Sequence, residues 1–200
     1  MKYPNGIIKH TQNSVSYGNR GMNFESEINL TNEYYLKENK AVIYKKPTPI
    51  TINRVDFKSR KDAVITEAHF KIPSTTDYNG IYKGKYIDFE AKETKLNYFP
   101  LNNIHNHQIL HLKRIVEHGG IGFILVNFTK KDKIFLLPIQ KLLGFIENQE
   151  RKSISIDFFE TNGYLIKPKY QPRIDYLTIV DKLYFKGEDV WKIFLRIKTT

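Results

Sequence analysis

One stretch, Tyr86-Ile87-Asp88-Phe89-Glu90-Ala91-Lys92, constrains this chain more than any other. Apolar and ionisable residues alternate through it, and side chains of a β-strand point alternately to its two faces. Ile87, Phe89 and Ala91 therefore face a core, while Asp88, Glu90 and Lys92 share the other face. Successive members of that charged row stand about 7 Å apart. On most strands such a row is the solvated face of an edge strand. Ile87 and Phe89 instead mark a strand near the centre of a sheet. Ser74-Thr75-Thr76-Asp77 lies just upstream, followed by turn-like Asn79-Gly80 and Lys83-Gly84. A hairpin through those turns brings Asp77 beside Glu90.

The pattern that results, Asp77…Glu90-x-Lys92, suits metal-assisted phosphodiester hydrolysis. A hard divalent ion such as Mg²⁺ takes carboxylate oxygens and keeps several waters. Such an ion offsets charge on a scissile phosphate and lowers the pKa of a water. Lys92, one pleat further along, is placed to hold the attacking water or stabilise the pentavalent phosphorus. Spacing alone is only moderately specific, because acids and lysines are abundant here. Thr75 shares a face with Asp77 if the segment is extended, so its oxygen can reach the same ion. Thr76 reads as a β-former in a Thr-rich loop. Gln108 sits in the apolar stripe Ile104, Leu112, Ile115 of an expected helix. A buried amide without a partner costs about 1–3 kcal/mol. Gln108 is thus either a metal-site residue or a capped structural amide. His105, His107 and His111 look like a metal cluster, but only His107 and His111 have the i, i+4 spacing of a zinc pair, no Glu follows as in His-Glu-x-x-His, and no third protein ligand is evident; phosphate contacts or solvated helix positions fit them better.

Around this row, strands and helices interleave. Met1–Tyr17 reads as a mobile polar arm. A helix capped by Asn23 follows, with Phe24, Ile28, Thr31 and Leu36 on one face. Ala41–Tyr44 reads as a strand, and Pro47 and Pro49 forbid a helix after it. Ile50–Phe57 and Ala63–Phe70 read as a hairpin with a basic tip. Asp77–Gly84 carries turn chemistry, and Leu101–His118 reads as a helix ended by Gly119-Gly120. Ile121–Phe128 reads as a buried strand, joined to Ile134–Leu137 through a Lys-rich turn. Pro138–Ile146 and Ile174–Phe185 read as helices. The pattern fits an α/β or α+β domain with a mixed sheet.

Charge bears on the partner. The 200 residues hold 32 Lys and Arg against 21 Asp and Glu, a net charge of +11. The excess is spread over both halves of the chain, which points to a polyanionic partner; a lysine-rich proteome gives the same number without one. Arg20, where the arm meets the first helix, and Lys45, Lys46, Lys58, Arg60 and Lys61, around the hairpin, are the candidate phosphate contacts. Cysteine is absent, which excludes a disulfide scaffold, thiolate zinc and a cysteine nucleophile. No run reaches the ~18 apolar residues of a membrane span. The expectation is a cytoplasmic, nucleoid-associated protein with no membrane partner.

These residues together resemble the RecU family of Holliday junction resolvases. The matching stretches are Tyr-Pro-Asn-Gly at 3–6, Asn-Arg-Gly-Met at 19–22, Lys-Lys-Pro-Thr-Pro at 45–49 and Ser-Thr-Thr-Asp-Tyr-Asn-Gly-Ile-Tyr-Lys-Gly at 74–84. Tyr-Ile-Asp-Phe-Glu-Ala-Lys-Glu-Thr-Lys at 86–95, Phe-Pro-Leu at 99–101, His-Asn-His-Gln at 105–108 and Pro-Arg-Ile-Asp-Tyr at 172–176 continue the series collinearly. The resemblance implies an α/β, restriction-endonuclease-like core: a central mixed β-sheet flanked by helices, with a protruding β-hairpin stalk. It implies a single nuclease domain over 1–200, with an N-terminal arm at 1–18, the stalk at 50–75 and a C-terminal extension at 186–200. It implies an intertwined homodimer making paired, symmetric, Mg²⁺-dependent nicks in four-way junction DNA, with Mn²⁺ able to substitute. Carried over by motif, Thr75, Asp77, Glu90 and Gln108 look like the metal-site residues, Lys92 like the transition-state stabiliser, and Arg20 like the arm arginine that contacts junction DNA. A branch-migration helicase and a strand-exchange recombinase are the implied protein partners. Two rivals stay open on the residues alone: another DNA endonuclease of the same core, and a non-catalytic junction-binding architectural protein.

Overall fold

A computed structural model describes residues 23–57, 59–71, 75–148 and 150–185 of the chain. The first helix, α1 (Phe24–Lys37), begins where Asn23 Oδ1 accepts a hydrogen bond from the Ser26 N–H at 2.8 Å. It buries Phe24, Ile28, Thr31 and Tyr35. Leu36, expected on that face, is exposed, because Tyr35 fills the i+4 position after Thr31. Then come β1 (Val42–Lys45), β2 (Ile50–Asp56), β3 (Val64–Phe70), β4 (Tyr78–Tyr82) and β5 (Lys85–Thr94). After β6 (Tyr98–Pro100) and a 3₁₀ turn over Leu101–Asn103, α2 spans Asn106–Glu117. The helix expected from Leu101 therefore starts five residues later. Next are β7 (Ile121–Phe128), β8 (Lys133–Pro138), α3 (Ile139–Asn148), β9 (Ser153–Ser155), α4 (Ile156–Asn162), β10 (Tyr164–Ile166) and α5 (Leu177–Tyr184).

Six strands form the central sheet in the order β1-β4-β5-β7-β8-β10. The β5–β7 pair is parallel and the other four pairs are antiparallel, so the sheet is mixed. A parallel neighbour demands a crossover, and α2 supplies it between β5 and β7. Gly122 on β7 lets that helix settle closely: a Cβ there would stand 3.1 Å from the Leu112 carbonyl oxygen.

Two cores lie on opposite faces of the sheet. One joins α1 and α5 to Ile87, Phe89, Ala91, Phe123 and Leu125, with Phe89 stacked between Tyr78 and Phe123 at centroid distances of 4.8 and 4.9 Å. The other joins α2, α3 and α4 to Ile124, Val126, Phe135 and Leu137. The alternation of β5 thus commits Asp88, Glu90 and Lys92 to the side covered by α2.

Asn79-Gly80, expected as a turn, lies inside β4. Gly80 pairs with Ile43 on β1, and a Cβ there would fall 2.0 Å from the Val42 carbonyl oxygen. The glycine serves the close approach of two strands. The turn itself is Lys83-Gly84, with φ of 47° and 74°. The β2–β3 hairpin forms its own two-stranded sheet, and none of the residues in its two strands is buried. It grows out of the β1–β4 ladder: Lys45 pairs with Tyr78, the Lys46 N–H donates to the Asp77 carbonyl, the Lys71 N–H donates to the Pro49 carbonyl, and Ile50 pairs with Phe70. The N-terminal arm and the 186–200 extension lie outside the described residues, as do 72–74 within the expected stalk. Among the described residues no helix is long and apolar enough to cross a membrane.

Candidate active site

Asp77 stands at the entrance to β4, one position before the Tyr78–Phe89 pair, and so falls opposite Glu90. Its N–H donates to Glu90 Oε2 at 3.0 Å. Its carboxylate lies within 3.5 Å of the Ala91 N–H. Glu90 is wholly buried. Lys92 Nζ stands 2.5 Å from Glu90 Oε1, yet that oxygen accepts no hydrogen bond of good direction. Asp77, Glu90 and Lys92 are therefore one cluster, as the strand alternation and hairpin require.

The electrostatics of the cluster ask for a cation. Burial first, and the neighbouring Asp77 carboxyl second, push Glu90 up to about 7 from 4.5, against the pull of the Lys92 ammonium. Two carboxylates facing one another, one of them wholly buried, disfavour their common ionised form. A divalent ion would reverse that preference, with Glu90 Oε1, which now faces the Lys92 ammonium, turned to it as a ligand. Among the described residues no three His, Cys, Asp or Glu side chains converge. The oxygens the structure brings together are the carboxylates of Asp77 and Glu90, hard donors of the kind Mg²⁺ takes while keeping several waters. Thr75 is half-buried at a bend two residues before Asp77. Gln108 is buried on the first turn of α2, and its Oε1 accepts the His105 N–H at 2.9 Å. That is half of a capping box, the structural use foreseen for this amide; a second lone pair remains on the oxygen.

The basic candidates divide. Arg60 and Lys61 are exposed in the loop between β2 and β3. Lys45 pairs with Glu25 at 2.5 Å on the surface. Lys46 turns inward: its ammonium donates to Asp88 Oδ2 at 2.8 Å and to Thr76 Oγ1 at 2.9 Å. Arg20 and Lys58 lie outside the described residues.

Sequence reasoning left Asp88 without a role. It is wholly buried one pleat before Glu90, and five side chains tie it down directly or at one remove. Besides Lys46, the Thr76 hydroxyl donates to Oδ1, the Tyr86 hydroxyl donates to Oδ2 at 3.1 Å, and His111 Nε2 lies 3.1 Å from Oδ2. Asn79 Nδ2 in turn holds the Tyr86 hydroxyl at 2.9 Å. Thr76 is accordingly a buried hydroxyl with specific partners, and His111 is neither a solvated position nor a free phosphate contact. The signal was its place on the charged face, one strand period from Glu90.

The family model described as recombination protein U matches residues 19–182, which include every element of the site. The chain belongs to the RecU family. A Holliday junction resolvase RecU of Oceanobacillus iheyensis is 53% identical over 196 residues, covering 92% of this chain and all of that one. The RecU of a Geobacillus strain is 50% identical over 92% of this chain and 98% of its own, and that of Bacillus cytotoxicus 48% over the same shares. Among solved structures, the Archaeoglobus fulgidus Holliday junction resolvase Hjc covers 72% of this chain and 93% of its own, at 13% identity and a TM-score of 0.45. The RecU relatives match this chain nearly end to end, so the hairpin and the site belong to the region they share.

Proposed function

We propose that this chain is a Holliday junction resolvase, a structure-specific endodeoxyribonuclease that separates four-way DNA junctions by paired, symmetric, Mg²⁺-dependent nicks during recombination and repair. The observation that carries it is the Asp77–Glu90–Lys92 cluster, with two carboxyls set against each other around the buried Glu90, in a member of the RecU family. Asp77 and Glu90 would hold the ion, and Thr75 and Gln108 would supply the further oxygens; Mn²⁺ would fit the same donors. Once bound, the ion offsets charge on the scissile phosphate and acidifies water. Glu90 and Asp77 fix where that charge sits relative to the strand. Lys92 presents its ammonium to the attacking water and the pentavalent phosphorus. Water attacks phosphorus in line, the 3′ oxygen leaves, and the nick keeps a 5′ phosphate and a ligatable 3′ hydroxyl.

A four-way junction has two-fold symmetry, and a C₂ homodimer presents one such site to each of two strands. Arg60 and Lys61 at the hairpin tip, with Arg20, Lys45 and Lys58, supply the backbone contacts. The branch-migration helicase and strand-exchange recombinase remain the proposed protein partners, and the cytoplasmic nucleoid the proposed place of action.

The test is cleavage of a synthetic mobile four-way junction beside matched linear duplex, with Mg²⁺ and with EDTA. Symmetric, metal-dependent nicks in the junction alone are expected, and Asp77→Asn is expected to bind without cutting. Equal cutting of duplex would make this another nuclease of the same core. Binding without cutting in any divalent metal would make it an architectural protein.

A further inference from the structure

Lys46 and Asp77 are 31 positions apart in sequence and adjacent in space, because the whole β2–β3 hairpin lies between them. At this root the two legs are clasped twice. The Lys46 N–H donates to the Asp77 carbonyl at 2.7 Å, and the Lys46 ammonium bonds to Thr76 Oγ1 and Asp88 Oδ2. Asp88 and Thr76 are buried, so water does not compete for these bonds. A buried carboxylate is tolerated only when paired and hydrogen-bonded, and Lys46 is the ion partner that Asp88 has on this strand edge. Asp77 itself has little side-chain anchorage, a 3.5 Å approach to the Ala91 N–H. Its place opposite Glu90 is held by the backbone on either side of it, and that backbone is what the clasp grips.

We infer that Lys46, acting through Thr76 and Asp88, is a positioning residue that sets Asp77 against Glu90 and fastens the root of the hairpin to the catalytic strand, and that it is not a DNA contact. This rests on the reading of Asp77 and Glu90 as the catalytic carboxylates. Loads applied to the hairpin reach Asp77 first, because Thr76 and Asp77 are where its returning leg rejoins the sheet.

Lys46→Met keeps the length of the side chain and removes its charge and donors. Three quantities are read on wild type and variant: junction affinity in EDTA by fluorescence anisotropy, single-turnover cleavage at saturating protein, and the Mg²⁺-induced rise in Tm without DNA. The variant is expected to bind the junction within about threefold of wild type, since no phosphate contact has been lost. Its cleavage is expected to fall about 100-fold, as for a reacting group displaced by about 1 Å. The Mg²⁺-induced rise in Tm is expected to shrink with it, and Lys46→Arg to restore part of both. A large loss of junction affinity with a normal rate at saturation would overturn the inference and return Lys46 to the DNA contacts. A lower Tm with an unchanged Mg²⁺ response and unchanged rate would also overturn it, leaving a merely structural bond. If Lys46→Met does not fold, Thr76→Val against Thr76→Ser poses the same question, with loss expected in the first and rescue in the second. A wild type that never cuts would sink the nuclease reading instead, and is distinguishable because the comparison then has no rate to lose.

Discussion

Glu90→Gln tests the electrostatics of the site without DNA or catalysis. In the unfolded chain this carboxyl ionises near 4.5; in the fold it does so near 7, mainly through burial and then through Asp77. A carboxyl whose folded pKa is raised destabilises the fold as pH rises, because the unfolded state gives up its proton first. The penalty begins near the unfolded value, grows through the window between the two and is complete above the folded value. With about 1.4 kcal/mol per pKa unit, it amounts to about 1 kcal/mol at pH about 5 and about 3 kcal/mol at pH about 8. Glutamine mimics the protonated form, still accepts the Asp77 N–H, and leaves Lys92, a quarter exposed, to be hydrated. Glu90→Gln should therefore be more stable than wild type in EDTA at pH about 8. For a chain of this size 1 kcal/mol moves Tm by about 2–4 °C, so the gain is on the order of 6–12 °C, narrowing to a few degrees at pH about 5. Mg²⁺ should close the gap from the other side, raising the Tm of wild type at pH about 8 and hardly moving that of the variant. Thermal melts by circular dichroism across this pH range decide it. A variant no more stable than wild type at the upper pH, or a difference that does not change with pH, would refute a strained carboxylate pair awaiting a cation.

Three further outcomes are expected. Lys92→Ala should bind junctions as wild type does and lose most of its cleavage rate; unchanged single-turnover cleavage would remove Lys92 from the mechanism. Gly80→Ala should lower the urea midpoint, by about 3 kcal/mol or more of stability, because its Cβ meets the Val42 carbonyl at 2.0 Å and the β1–β4 ladder must shift; an unchanged midpoint would mean the strands separate without penalty. Burial works against ionised Asp175, but hydrogen bonds from Lys169, Thr178 and Tyr35 and the charge of Lys40 prevail and hold it at about 2, below 3.8. The stability this gives is full above pH about 4 and fades as pH falls through the folded value, so Asp175→Asn should cost about 2 kcal/mol at neutral pH and progressively less toward pH about 2. A gap independent of pH in denaturant titrations would assign the loss to packing.

The heart of the site was legible because its signals are local. Period-2 alternation fixed which face of β5 carries Glu90 and Lys92, and a short hairpin fixed Asp77 opposite. Gln108 showed itself as a polar residue in an apolar stripe, though the stripe could not say that its Oε1 serves the turn at His105. Asp88 was visible on the same face, but its meaning lies in Lys46, Thr76 and His111, which come from three other segments. No window of sequence holds that network. Asn79-Gly80 has the composition of a turn, and only the nearness of β1 explains the glycine. The three-residue strands β6, β9 and β10 are too short to show any period, and α4 is less than two and a half turns long.

The bare hairpin has a consequence for how a family like this can vary. Its two legs are seven residues each, and neither face of either leg is committed to a core. Elsewhere in the sheet a shift by one residue would turn every buried side chain outward. Here length is free of that constraint. Inserting two residues in each leg would carry Arg60 and Lys61 about 7 Å further from the sheet and keep every side chain on its present face. Reach can thus be adjusted between lineages, or by design, in steps of one strand period, while the clasp at Lys46 stays where it is.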